Sequence, residues 1–141
     1  MIIKYQFFHT ESLLIIKLEG EFSLDGYQKS IPILKKDPNW KHVKKVLLDI
    51  RQTLSSNYNV IAKELFVIRK SADFPSYKMA YFVEDPILLA NLDLYVQMSN
   101  TNGIYDYFST IIGAIRHLNI QYSSQEIEKL ITHLNQKIEH L

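Results

Sequence analysis

The chain has 141 residues, the size of one domain, and such a domain buries roughly 70% of its unfolded surface. Its 47% apolar and 22% charged residues exclude a disordered or fibrous chain, and the absence of cysteine excludes disulfides, thiolate catalysis and cysteine-based metal sites. A formal net charge of +1 supplies no global field toward nucleic acid or an anionic membrane.

In chain order, Ile2–Phe8 and Leu13–Glu19 are apolar runs separated by His9-Thr10-Glu11-Ser12. That short polar gap predicts a β-hairpin. Ser23 is placed to cap a helix that ends near Lys35-Lys36, with Pro32 expected to kink or split it. Asp37-Pro38-Asn39-Trp40 predicts a turn, and Lys45–Ile50 a strand covered on both faces. Over Asn57–Ala72, Ile61, Leu65, Ile68 and Ala72 repeat at helical spacing. Lys78–Val83 predicts another buried strand. Asp85 and Pro86 then suit the cap and first position of a helix running to about Ser99.

Ile104–Phe108 predicts a last strand, with Tyr105 and Tyr107 on one face and Ile104, Asp106 and Phe108 on the other. A helix capped by Ser109 or Thr110 follows through Leu118. The closing helix begins at Ser123, where Glu126 completes a capping-box pattern, and is expected to continue to the last residue. The start, Met1-Ile2-Ile3-Lys4-Tyr5, lacks the apolar stretch of a signal peptide, and no run reaches the roughly 20 apolar residues that span a bilayer. A cytoplasmic location is expected. The predicted class is α/β: a mixed sheet with an N-terminal antiparallel hairpin, βαβ units and an extra C-terminal helix. Residues 1–122 form the domain. Residues 123–141 form an amphipathic extension, packed on that domain or on a second subunit.

Four stretches carry a family resemblance. They are Leu18-Glu19-Gly20-Glu21-Phe22, then Asp37-Pro38-Asn39-Trp40 with Val46-Leu47-Leu48-Asp49-Ile50-Arg51, then Phe82-Val83-Glu84-Asp85-Pro86, and lastly Phe108 with Ala114 and Leu118. Together they resemble the SpoIIAA-like family of small bacterial proteins, which have the STAS-type fold. His117 departs from the pattern, standing where tryptophan is usual. The resemblance implies the mixed sheet and a regulatory role through docking to proteins, as in anti-anti-sigma factors. Those relatives are switched by phosphorylation of a serine at a helix start, and other relatives resemble lipid-carrying Sec14-type domains.

The candidate sites follow from placement. Ser55 and Ser56 fall where the anti-anti-sigma serine stands, but without its preceding Asp and following Gly; a serine there also serves as an ordinary helix cap. Asp49, Arg51, Glu84 and Asp85 lie at the carboxyl ends of neighbouring strands, the edge that ligands favour in open α/β sheets, with ion pairing and capping as their structural roles. Ile127, Leu130, Ile131, Leu134 and Ile138 form one helical stripe that must be buried somewhere, and a dimer interface is the expected place.

His9, His42, His117, His133 and His140 show no ligand spacing, and the four glycines form no phosphate-cradling loop. No cofactor and no metal are expected, and the chain is expected not to be an enzyme. Its partner is expected to be a protein or a second copy, not nucleic acid. A domain that binds a small apolar molecule or lipid is the alternative, and an enzyme using the strand-end carboxylates a more distant one.

Overall fold

The computed structural model describes residues 1–54, 63, 78–98 and 105–139. The two opening apolar runs pair with each other. Strands β1 (Ile2–Phe8) and β2 (Leu13–Glu21) are antiparallel, in a register from Ile2 opposite Glu19 to Phe8 opposite Leu13. A single 3-10 turn over His9–Glu11 joins them, and Ser12 closes the reversal in the left-handed region at φ 51°.

Ser23 caps α1 (Leu24–Lys35), its Oγ accepting from the Gly26 amide at 3.0 Å. Pro32 does not split the helix. The carbonyl it leaves without a helical partner belongs to Gln28, and both residues lie on the exposed face, where water can hydrate that group. Asp37 then holds a tight turn through its Oδ1, which accepts from the Asn39 amide at 2.8 Å.

Strand β3 (Lys45–Leu54) runs parallel to β2, and β4 (Lys78–Phe82) parallel to β3. Helix α2 (Pro86–Met98) leads to β5 (Tyr105–Phe108), parallel to β4, and α3 (Ile111–Leu118) and α4 (Ser124–Thr132) follow. Thr110 caps α3, and Ser123 caps α4. The six-stranded sheet has the order β5-β4-β3-β2-β1-β6. This is the expected α/β class: a mixed sheet with an N-terminal hairpin, parallel β-α-β connections and C-terminal helices.

Continuous apolar runs in β2 and β3 feed two core layers, one on each face of the sheet. On one face Tyr27 and Leu34 of α1 and Leu88 and Leu92 of α2 pack against Leu14, Leu48 and Tyr81. On the other, Ala114 and Leu118 of α3 and Ile127 and Ile131 of α4 pack against Ile15, Leu47 and Ala80. Tyr105 and Tyr107 join the first layer and Phe108 the second, as period-two alternation requires.

The chain end departs from expectation. The closing helix stops at Thr132, and Gln136–Ile138 form β6, antiparallel to β1 with Ile138 opposite Ile3. The stripe is therefore divided. Ile127 and Ile131 are buried under α4 in the second layer, with Leu130 and Leu134 partly buried beside them, while Ile138 is buried in the first layer. Spacing alone misleads here because a pairing-starved β1 offers Gln136–Ile138 backbone hydrogen bonds and a pocket on the far side of the sheet. Apart from Lys63, the predicted helix over 57–72 lies outside the described residues, as do the serines Ser55 and Ser56.

Candidate functional site

Arg51 is the hub of the carboxyl edge. Register shifts between Lys17 opposite Asp49 and Glu19 opposite Gln52, so Ile50 and Arg51 share the place opposite Leu18. Such a bulge bends a strand and re-aims its side chains. The Arg51 guanidinium lies over the buried Phe82 ring, 4.1 Å from its centroid. Its Nε donates to Asp49 Oδ1 at 3.0 Å and its Nη2 to Oδ2 at 2.8 Å, a two-pronged pair. The Arg51 backbone amide donates to the same Oδ1 at 3.0 Å.

A second carboxylate closes the other side of the guanidinium. Glu128, on α4, accepts from Nη1 at 2.9 Å and from Nη2 at 3.3 Å. Glu84 adds a longer ion pair at 3.7 Å. Burial works against the charge on Arg51, but its hydrogen bonds to Asp49 and Glu128, and then their charges, hold its pKa above the ordinary value. Asp49 itself is sealed, its side chain 1% exposed. Both of its oxygens are engaged by Arg51, which leaves it a structural counter-ion.

Of the four carboxyl-edge residues read from the sequence, Asp49 and Arg51 therefore meet directly, and Glu84 stands at the rim. Asp85 turns away: its Oδ1 accepts from the amides of Ile87 at 2.9 Å and Leu88 at 3.1 Å, capping α2. Glu128 was not foreseen. It follows Ile127 on α4, and no local pattern marks which strand a helix carboxylate will face once the helix docks. Thr53, further along β3, is buried, and its Oγ1 has no hydrogen-bond partner among the described residues.

A second polar link ties α2 to the sheet. The Tyr107 hydroxyl is hydrogen-bonded to Asp93, and burial, that bond and the charges of Asp93 and Asp106 push the phenol up to about 12. Apart from Asp93, α2 is nearly devoid of charge. Ile87, Ala90 and Leu94 (i, i+3, i+7) lie along its outer side, with Ile87 63% and Leu94 53% exposed. An outward helix face is ordinarily polar.

Two depressions are described. One, of about 10 Å³, lies among Phe8, His9, Ser12, Asn39 and His42 and has room for about one water. The other is an open cleft of about 340 Å³ over Tyr122, Glu126, Lys129, Leu130 and His133. Among the described residues, no three His, Asp or Glu side chains are arranged to hold a metal ion, and no helix is long and apolar enough to cross a membrane. No protein-family model, curated protein or solved structure matches the chain.

Proposed function

We propose that this chain is a STAS-like, non-enzymatic module of the cytoplasm that acts by docking to a protein partner. The uncovered apolar side of α2 carries the reading. Burying a large aliphatic side chain stabilises by roughly 1.5–3 kcal/mol, so exposed Ile87 and Leu94 on one helix face favour a covering surface. The self-satisfied carboxyl edge agrees with this role. Arg51 and Asp49 neutralise each other, and Arg51 with Glu128 ties α4 to β3, as a rigid scaffold requires.

Kinship with SpoIIAA-like proteins is supported by the hairpin-first mixed sheet, the Asp37 turn and the Asp85-Pro86 helix start. His117, the departure from that pattern, packs beside Phe108 with ring centroids 5.2 Å apart, and its Nε2 lies 3.2 Å from the Met79 carbonyl oxygen.

The test is affinity capture from the native cell with wild type and an Ile87→Glu, Leu94→Glu variant, joined to native mass spectrometry. A protein retained stoichiometrically by wild type and lost by the variant supports docking. A copurified small apolar molecule, with no retained protein, overturns docking in favour of a ligand-binding domain.

A further inference from the structure

The net charge of +1 conceals two unlike ends. Parallel strands place their starts in one row, with Leu13 opposite Lys45 and Lys45 opposite Lys78. The hairpin turn at His9–Glu11 joins this end, because Phe8 pairs with Leu13. The end of α1 and the turn at Trp40–His42 arrive there too, since Lys44 and Lys45 donate their amides to Ser12 O. The last turn of α3 is held at the same place, where Lys45 Nζ donates to Asn119 O at 2.8 Å.

The sequence thereby brings exposed Lys36, Lys41, Lys44, Lys78 and Arg116 to the amino ends of the parallel strands. Among the described residues, Asp37 and Glu11 are carboxylates at that end. Asp37 is engaged in its turn, and Glu11 faces Lys45 at 3.5 Å. No ion pair is formed by Lys36, Lys41, Lys44 or Lys78 among the described residues. The opposite end, where the parallel strands finish, carries exposed Glu21, with Asp25 paired to Lys29 and Glu84 to Arg51.

We infer that the lysine-bearing end is a docking surface for an acidic segment of a partner protein, an inference that rests on the docking reading above. Charge complementarity selects the occupant. Four lysines that form no ion pair among the described residues create a local positive field that net charge does not register. Apart from Arg116, the cations of the patch are lysines, point charges without the planar fork that reads phosphates two-pronged. Asp37 and Glu11 interrupt the patch and would repel a continuous phosphate backbone. Ile33, 42% exposed near the same end of α1, gives an apolar foothold of the kind a protein side chain fills.

The experiment uses the full chain and a fluorescein-labelled peptide of alternating glutamate and leucine, read by anisotropy at about 50 mM and about 300 mM salt. Wild type binds, and binding weakens at the higher salt. Lys41→Glu, Lys44→Glu and Lys78→Glu together weaken it on the order of tenfold or more, whereas Ile87→Glu with Leu94→Glu leaves the peptide bound. Unchanged binding in the lysine variant overturns the inference, as does no binding by wild type. Tighter binding of a single-stranded RNA, or of vesicles of anionic lipid, at equal salt also overturns it. Cell capture separates the two readings: a partner lost with the α2 variant but kept by the lysine variant sinks this inference and leaves docking standing.

Discussion

Arg51 on β3 and Glu128 on α4 are joined at 2.9 Å although 77 residues separate them in the chain. On its other side the same guanidinium grips Asp49, so one side chain fastens a helix to a strand and neutralises a sealed carboxylate.

The two carboxylates should answer mutation differently. Arg51→Met strands Asp49 without a counter-charge and is expected to cost about 3–5 kcal/mol in urea unfolding. Adding Asp49→Leu recovers most of that loss. Glu128→Gln, at a side chain 47% exposed, costs no more than about 1 kcal/mol. Equal losses for Arg51→Met and Glu128→Gln contradict this division.

Ile127 is fully buried within its own chain. Ile127→Ala is expected to destabilise by about 2–5 kcal/mol with no change of mass in light scattering. Deleting 123–141 removes both α4 and β6, and should give an aggregating product. A folded monomer obtained from a dimeric parent would instead place the stripe at a subunit contact.

Alkaline pH probes the link between α2 and the sheet. Tyr107 has an ordinary value of 10.0 and about 12 when folded, so between these the unfolded chain loses its proton first. Stability tied to this phenol is complete below pH 10.0 and falls as pH rises toward about 12. Urea midpoints should drop across that interval, and by less in Tyr107→Phe. Parallel pH profiles for the two proteins remove the assignment.

Thr53 offers the reverse of a deletion. Its buried hydroxyl has no partner among the described residues, and an unmet group of this kind costs about 1–3 kcal/mol. Thr53→Val keeps the shape and removes the oxygen. Thermal unfolding should be unchanged or shifted upward, and a clear loss of stability would reveal a hydrogen bond to that oxygen.

The legible parts of the fold were those fixed by short-range chemistry. Ser23, Asp85, Thr110 and Ser123 each cap the helix that the residue type and position indicated, and the first two strands pair across His9–Glu11. Reading failed where a distant surface made the choice. Ile131, Leu134 and Ile138 have a spacing compatible with a helix, yet β1 recruits Ile138 into a strand. Asp49 and Arg51 could be placed beside the end of β4 by counting, although β3 itself runs on to Leu54, but Glu128 could not, because its partner depends on how α4 lies across the sheet. The segregated charge was hidden for the same reason, since lysines scattered from Lys36 to Lys78 become neighbours only through strand register.

The position of β6 has a consequence for biosynthesis. Its three residues hydrogen-bond beside β1 although β2 to α4 lie between them in the chain, so a nascent chain carries β1 with one margin bare until Gln136–Ile138 have left the ribosome. Closure of that seam is a late event, and a truncated product keeps an unsealed ribbon on which another molecule can zip.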